Sequence, residues 1–210
     1  MLTSGNMSAR EARRRPFYVS DADAPAKQKI LVAALTLFVR DGLCETSVRD
    51  IAKASGFTNP ALFKHFRSKD ELARYLFERC YLEISVLVSN AMASEVSFAA
   101  KQRAVIDAYL AALDRDSNSV LYVQDWLRYF WPQLPATVRR HSIVSDVRRL
   151  LETGRAEGAV TDRIDIDLLA TAWLGTLQQV ARFRYFGEFT QPVRTLADGL
   201  DALLTRMARP

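Results

Sequence analysis

The side chains best suited to binding chemistry lie between Thr46 and Lys69. The short run Thr58 to Ala61 is polar or small, and the basic and aromatic residues of 62–66 follow it. Asn pairs with adenine, Ala packs on the methyl group of thymine, and basic side chains bind phosphate oxygens. A short helix with these groups is suited to enter the major groove of a DNA duplex.

Catalytic and metal-binding patterns are weak in this chain. Of its two histidines, His65 and His141, neither has a glutamate three positions earlier, as a di-iron helical bundle requires. We find no glycine-rich phosphate loop and no Ser, His and Asp set. Cys44 and Cys80 fall within helical patterns, and we predict that both are reduced, small buried residues. The sequence therefore predicts a protein that is not an enzyme, with no cofactor and no metal.

Positive charge is concentrated in the first part of the chain. Residues 1–80 hold 14 Lys and Arg against 9 Asp and Glu, whereas residues 81–210 hold 15 of each. Residues 26–80 alone hold ten basic and six acidic side chains, so the excess is not confined to the N-terminal arginines. A basic region beside a neutral one indicates a polyanion-binding domain on a separate body. A solvated basic tail is the alternative for the N-terminal arginines.

Helices are predicted throughout the chain, which has only 8 glycines and 7 prolines and no segment alternating with a period of two. Apolar residues recur every three or four positions from Ala26, and Gly42 ends this first helix. Ser47 and Asp50 have the spacing of a capping box at the start of the second helix, which Gly56 ends.

The third helix follows at once, with Thr58 predicted as its N-cap and Pro60 in its first turn. Three of its side chains are predicted to face the core wholly or in part: Leu62, Phe63 and Phe66. Ser68 then begins an S-x-x-E motif that opens a long helix. Three short helices over 26–67 with a glycine turn are typical of a helix-turn-helix. The later helices are placed approximately at 69–95, 101–114, 117–131, 136–157, 165–186 and 192–208.

These residues resemble the N-terminal signature of TetR-family transcriptional regulators. The resemblance rests on Ile51-Ala52, on Gly56, on the run LFKHF at 62–66 and on the run SKDEL at 68–72. It covers 26–72; the rest of the chain resembles the family in length, helicity and the run GRAEG at 154–158. One departure is Phe63, because the family usually has a Tyr there whose hydroxyl touches a phosphate.

The resemblance implies an all-α fold with an N-terminal helix-turn-helix DNA-binding domain and a helical ligand-binding and dimerisation domain. The predicted boundaries are a mobile basic arm at 1–25, the DNA-binding domain at 26–72 and the regulatory domain at 73–210. No apolar run is long enough to span a membrane, and the N-terminus lacks the apolar region of a signal peptide, so we expect a cytoplasmic protein. Either Met1 or Met7 is a possible start.

The predicted DNA contacts divide between bases and phosphates. The residues assigned to the DNA-binding set are Thr46, Ser47, Arg49, Thr58, Asn59, Pro60, Ala61, Phe63, Lys64, His65 and Lys69. Thr58, Asn59 and Ala61, with Arg49, are expected to read bases. Lys69, at a helix N-terminus, is expected to bind a phosphate, as are Lys64, His65 and Thr46. The alternatives are a surface ion pair for Arg49, a solvated Lys69 and a structural His65; arginines of the arm could enter the minor groove.

The last two helices are the predicted homodimer interface, because a two-fold dimer reads two half-sites and the resemblance implies a four-helix bundle. The residues assigned to it are Leu168, Ala172, Gly175, Thr176, Gln179, Leu196, Leu200 and Leu203. Packing of these stripes within one subunit is the alternative.

Clustered aromatic residues in the middle helices are core by default, but many family members hold an effector there, and apolar pockets with a few polar groups bind small molecules. The residues assigned to the effector are Tyr122, Trp126, Tyr129, Phe130, Trp173, Gln178 and Arg182, with Gln124 and Arg128 as further polar candidates.

The favoured function is a homodimeric repressor that a small, hydrophobic ligand releases from its DNA operator. Two alternatives stay open: a DNA-binding regulator of the same fold without small-molecule input, and an activator. The operator, the effector and the regulated genes do not follow from the sequence.

Overall fold

The computed structural model describes Pro16 and residues 18–210. Within those residues the secondary structure consists of helices and turns, with no strand, which confirms the predicted all-α fold. The chain divides into two compact units, the first ending at Leu76 and the second running Phe77–Pro210.

The first unit contains α1 (Pro25–Arg40), α2 (Val48–Ser55), α3 (Asn59–Phe63) and the start of α4 (Lys69–Ala93). Gly42 and Gly56 end α1 and α2 with φ of 92° and 77°, left-handed values that favour glycine. The third helix is shorter than predicted: it stops at Phe63, and the next residues form a turn. Thr58 is its N-cap, but the Thr58 side chain makes no capping hydrogen bond.

The core of the first unit comes from one face of each helix. Side chains that are fully or almost fully buried are Ile30, Leu31, Leu35, Phe38, Ile51, Leu62, Phe66 and Leu72. Each buried side chain of this size stabilises the fold by roughly 1.5–3 kcal/mol relative to exposure. Of the three side chains predicted to face the core wholly or in part, Leu62 and Phe66 are buried, whereas Phe63 is 48% exposed. The turn after α3 aims Phe66 inward instead.

The segment before α1 is packed against the first unit, so the predicted mobile arm is wrong for residues 18–24. Tyr18 and Val19 are buried. The Gln28 side chain donates hydrogen bonds to the carbonyls of Ser20 and Asp23 at 3.1 and 2.8 Å. The other part of the predicted arm, residues 1–15 and 17 with its arginines, lies outside the described residues.

The second unit contains the rest of α4, followed by α5 (Phe98–Arg115), α6 (Ser117–Phe130), α7 (Ala136–Arg139), α8 (Ile143–Ala156), α9 (Ile166–Tyr185) and α10 (Ala197–Ala208). Short 3-10 turns lie at Trp131–Gln133 and Val193–Leu196. The predicted helix 136–157 is two helices, because the Ser142 side chain accepts a hydrogen bond from the Ser145 amide and starts α8 afresh. Ser97 likewise caps α5, which starts at Phe98.

Gly154 allows close packing between α8 and its neighbours. An added Cβ there would lie 2.5 Å from Val160 Cγ2 and 2.8 Å from Phe98 Cδ2. A hydrogen-bond network joins three helices nearby: Gln102 donates to Asp201 and Thr205 of α10, both at 2.9 Å, and its carbonyl accepts from Trp173 Nε1 of α9 at 3.4 Å.

The two cysteines differ in exposure. Cys80 is buried, as predicted, and burial raises the pKa of its thiol far above the ordinary range. Cys44 is exposed and lies in the turn after α1, so the prediction of a buried helical Cys44 is wrong. No helix among the described residues is sufficiently long and apolar to cross a membrane.

Candidate functional site

The surface around α3 brings together most of the predicted DNA-binding residues. The Thr58, Pro60 and Lys64 side chains are exposed along with Phe63, whereas Asn59, Ala61 and His65 are partly buried. Leu62, with no exposed surface, anchors the helix in the core. The helix thus has one buried anchor, and the exposed Thr58, Pro60 and Lys64 lie around it, an arrangement suited to a helix that enters a major groove.

A complete capping box starts α2, as predicted from Ser47 and Asp50. The Ser47 Oγ accepts a hydrogen bond from the Asp50 amide at 3.2 Å, and Asp50 Oδ2 accepts from the Ser47 amide at 3.0 Å and from the Ser47 hydroxyl at 2.6 Å. The hydroxyl and amide of Ser47 hold the pKa of Asp50 below its ordinary value. This box fixes the start of α2, from which the exposed Arg49 projects.

Lys69 holds a turn of the first unit together. Its ammonium donates to the carbonyls of Leu43 at 2.8 Å and Thr46 at 2.9 Å, with a longer contact to Cys44 at 3.5 Å. The predicted phosphate contact of the Lys69 ammonium therefore competes with these internal hydrogen bonds, and neither phosphate binding nor a solvated side chain describes the observed arrangement. Spacing along one helix could not reveal a partner 26 residues away.

The prediction of a phosphate contact for the Thr46 side chain is wrong in this structure. Thr46 is 2% exposed, and its hydroxyl donates to the Gly42 carbonyl at 2.8 Å. The Thr46 amide also donates to the Gly42 carbonyl, at 3.2 Å. Thr46 closes the turn after α1, and both its donors are used inside the unit.

Part of the basic excess of the first unit is neutralised internally. The Lys27 ammonium lies 2.9 Å from Asp23 Oδ1 and 2.8 Å from the Tyr75 hydroxyl, and it stands 4.3 Å from the centre of the Tyr75 ring. Burial opposes its charge, but these hydrogen bonds prevail and raise the pKa of Lys27. Arg40 pairs with Asp41. The exposed Arg67, directly after the aromatic run, is a cation near α3 that the sequence reasoning did not assign.

An exposed stripe runs along α9. Leu168 is 61% exposed, Gly175 and Gln179 are exposed, and Ala172 and Thr176 are partly exposed. Phe183 and Phe186, at 42% and 69% exposed, continue the stripe at the same three- and four-residue spacing, and the sequence reasoning missed both.

On α10 and the preceding 3-10 turn, Leu203 is 53% exposed and Leu196 is partly exposed. The assignment of Leu200 to a subunit interface is wrong in this structure: Leu200 is 8% exposed and faces the core of its own unit, together with Leu204. Residues 196, 200 and 203 were grouped by helical periodicity alone, and periodicity does not determine which residues of one helix side are exposed and which are buried.

The second unit encloses an apolar cavity of about 100 Å³. Its lining includes two of the predicted effector residues, Trp173 and Gln178, and also Gln124. The other walls are supplied mainly by aliphatic side chains from α4, α5, α6, α8 and α9, among them Ile84, Val105, Val120, Leu127, Val147 and Leu177. The sequence reasoning missed these, because an aliphatic side chain beside a cavity has the same pattern as one in a solid core.

Four predicted effector residues pack elsewhere. Tyr122, Trp126, Tyr129 and Phe130 form a cluster of ring contacts with centroids 4.9–6.5 Å apart, and Tyr122 and Phe130 also contact Phe77. None of the four lines the cavity. Tyr122 and Phe130 are buried, and tilted ring pairs of this kind are an ordinary way to build a core, whereas Tyr129 is 55% exposed.

An open groove of about 450 Å³ shares Gln124, Gln178 and Leu127 with the cavity lining. Arg128 lies in this groove. Arg182 lines neither space, and its guanidinium pairs with Asp125 at 2.7 Å. Over the described residues there is no cluster of His, Cys, Asp and Glu that could hold a metal ion.

Comparison with known proteins gives a consistent picture. A family model described as bacterial regulatory proteins, tetR family, matches residues 30–76. The HTH-type transcriptional repressor KstR2 of Rhodococcus jostii is 26% identical over 165 residues, which cover 70% of this chain and 76% of that protein.

Solved structures share the fold. The ketosteroid transcriptional regulator KstR2 of Mycobacterium tuberculosis aligns with a TM-score of 0.79 at 20% identity, over 92% of this chain and 99% of that one. The transcriptional regulator FadR of Bacillus subtilis, solved in complex with stearoyl-CoA, aligns with a TM-score of 0.66 at 17% identity, over 85% and 97% of the two chains. At these identities the likeness concerns the fold.

Proposed function

We propose that the chain, a DNA-binding transcriptional regulator whose residues 30–76 match the model of the tetR family of bacterial regulatory proteins, acts as a homodimeric repressor that a small apolar ligand releases from its operator. The observation that carries the DNA-binding part is the exposed surface around α3, formed by Thr58, Pro60, Phe63 and Lys64 over the buried Leu62.

On this proposal, base reading falls to Thr58, Asn59 and Ala61, with Arg49 reaching in from α2. Lys64 and His65 bind the backbone, and Arg67 adds a further phosphate contact. Ser47 acts indirectly, because its capping box fixes the helix that carries Arg49. Pro60 and Phe63 contribute apolar surface beside the polar residues.

Dimerisation is supported by the exposed stripe of α9. Apolar and small side chains, ending in Phe186, form an exposed apolar surface that a second copy would bury. The exposed Leu203 of α10 extends the apolar surface available for such an interface. Two copies would place two α3 helices on successive half-sites, which gives the specificity that a single short helix lacks.

Effector binding is supported by the apolar cavity and by the groove that shares Gln124 and Gln178 with it. A ligand that favours a dimer conformation unsuited to DNA would lower operator affinity, and the operator would lower ligand affinity by the same factor. FadR of Bacillus subtilis has the same fold and was solved in complex with stearoyl-CoA, so a small-molecule complex is known for a protein of this fold.

The test is a selection of random DNA duplexes by the purified protein at a stated salt concentration, because phosphate contacts make affinity salt-dependent. We expect a palindromic site. Asn59→Ala should relax one base position in each half-site at a cost of about 1–3 kcal/mol. Lys64→Ala should weaken all sequences alike and reduce the salt slope by about one.

The matched control is Lys53→Ala, which removes an exposed positive charge from α2 outside the proposed contact set. Its effect on affinity should be small and equal for all sequences. Failure to select any motif, with binding only at low salt, would overturn sequence-specific regulation by this chain.

A second candidate, a DNA-binding regulator without small-molecule input, is favoured by the small size of the cavity. About 100 Å³ is well below the roughly 300–1,000 Å³ of typical ligand pockets. The two candidate functions can be separated once the selected DNA site is known. If no compound that binds the second unit changes the affinity of the protein for that DNA site, the regulator without small-molecule input is favoured. Repression and activation differ in where the operator lies relative to the promoter.

A further inference from the structure

The carbonyl oxygen of Gln124 is a buried acceptor without a hydrogen-bond partner. It is the one buried side-chain nitrogen or oxygen among the described residues that has none. Gln124 lines both the apolar cavity and the open groove that shares residues with it. A buried polar group left unpaired is unfavourable, so such a group in a cavity wall points to a ligand that completes it.

The orientation of the Gln124 amide is fixed by Tyr109. The Tyr109 hydroxyl donates its hydrogen to the Leu177 carbonyl at 3.1 Å, and the Gln124 amide nitrogen donates to the Tyr109 oxygen at 3.2 Å. If the amide were reversed, its oxygen would face a hydroxyl oxygen whose hydrogen is already used. The end of Gln124 left without a partner is therefore the acceptor.

The other buried polar groups of the cavity lining are partnered within the unit, and Gln178, which also lines the cavity, is exposed. The Tyr81 hydroxyl donates to the His141 carbonyl at 3.1 Å and accepts from the Ile143 amide at 3.2 Å. The Trp173 indole nitrogen donates to Gln102. No charged side chain belongs to the cavity lining. An ionised ligand group would lose its hydration there without a counter-charge, and a carboxylate would also oppose the Gln124 oxygen.

We propose that Gln124 selects a neutral, largely apolar ligand bearing a hydroxyl or N–H group, which donates a hydrogen bond to Gln124 Oε1. This inference rests on the proposed function, since it names the ligand chemistry of the effector cavity. An ether or hydrocarbon of the same shape fills the same space but leaves the Gln124 oxygen unpaired. The site therefore distinguishes ligands that have a hydrogen-bond donor from ligands that have none.

The experiment compares p-cresol with anisole, two isomers of similar size of which only p-cresol can donate a hydrogen bond. Isothermal titration calorimetry on the full chain measures both affinities. We expect p-cresol to bind about tenfold tighter than anisole, the effect of one buried acceptor being satisfied. Gln124→Met keeps the length of the side chain without the acceptor and should bring the two affinities together.

Tyr109→Phe provides a second variant in which Gln124 is retained. Without the Tyr109 hydroxyl the amide can turn its N–H groups toward the ether oxygen of anisole, so the preference for p-cresol should fall. Circular dichroism and thermal unfolding of each variant establish that it is folded before binding is compared.

Equal affinity of the two isomers for the unchanged protein, an undiminished preference in Gln124→Met, or binding of neither compound would overturn this inference. The duplex selection is made without either compound. A recovered palindrome together with equal binding of the two isomers would therefore reject the role of Gln124 and leave the DNA-binding function intact.

Discussion

The two units of the chain place their polar side chains in opposite ways. In the first unit, the polar residues that flank α3, Thr58 and Lys64, lie on the surface, and a single buried side chain, Leu62, anchors that helix. In the second unit, Gln102 is fully buried in a hydrogen-bond network, and the Gln124 oxygen faces a cavity.

Because of this difference, ligand binding and folding stability depend on different side chains in the first unit and on the same side chains in the second. A surface side chain of α3 contributes to ligand affinity and little to folding, because it makes few contacts in the free protein. A polar side chain in the second unit belongs to the core, so a change that alters ligand preference also alters packing. The following predictions test this separation, starting with the largest expected effect.

The largest effect is expected within α3 itself, where adjacent residues have opposite roles. Leu62→Ala should lower the free energy of unfolding by about 2–5 kcal/mol, because it empties a fully buried position. Phe63→Ala, at a 48% exposed position, should change it by about 0.5 kcal/mol or less and weaken DNA binding instead. Urea unfolding and DNA titration measure the two effects. Similar losses of stability in both variants would contradict the separation.

The next largest effect is expected for Gly154→Ala, which should lower the free energy of unfolding by about 1–3 kcal/mol because the added methyl group would overlap Val160 and Phe98. The control is Gly175→Ala on α9, where nothing lies within 4 Å of the added Cβ. This change should stabilise a single subunit by roughly 0.5–1 kcal/mol through reduced backbone freedom. Thermal unfolding measures both.

Gly175→Ala also sharpens the proposal of a dimer. If α9 packs closely against a second copy at Gly175, the methyl group should raise the dimer dissociation constant, which sedimentation velocity measures. An unchanged dissociation constant together with a stabilised subunit would place the interface elsewhere.

Ser47→Ala should lower the free energy of unfolding by about 1 kcal/mol through loss of a helix cap. The pKa of Asp50 is lowered in the folded state by the Ser47 hydroxyl and amide. The stabilisation that ionised Asp50 contributes to the fold is therefore fully present above the ordinary carboxyl pKa of about 4. It is lost as the pH falls through the lower pKa that Asp50 has in the folded protein. The stability difference between the two proteins should narrow below about pH 4, as unfolding measured across pH would reveal. A difference that widens in acid would contradict this.

The first unit was predictable from sequence in more detail than the second. Capping residues such as Ser47 and turn glycines such as Gly56 have local, specific patterns, and the structure has both as predicted. What escaped prediction was tertiary: Lys69 reaches the Leu43 carbonyl, and Thr46 turns inward to Gly42. Such pairs depend on the approach of separate segments, which periodicity does not encode.

In the second unit, the helices were predictable but the cavity was not. Trp173 and Gln178 line the cavity, whereas Tyr122 and Phe130 pack against each other. Aromatic residues at helical spacing predict burial; whether they meet each other or an empty volume depends on how several helices pack. Ser142, which divides the predicted helix 136–157, shows the same limit at the level of elements, since serine also occurs within helices.

The contrast between the two thiols makes the unmodified chain suitable for site-selective labelling. A maleimide fluorophore should react rapidly with Cys44, in the turn that Lys69 holds, and report on the first unit. Cys80 becomes reactive only when the second unit opens, because its thiol is buried and its pKa is raised. The slow second labelling step would thus time the opening of the second unit, and one reagent would follow both units in a protein without any introduced cysteine.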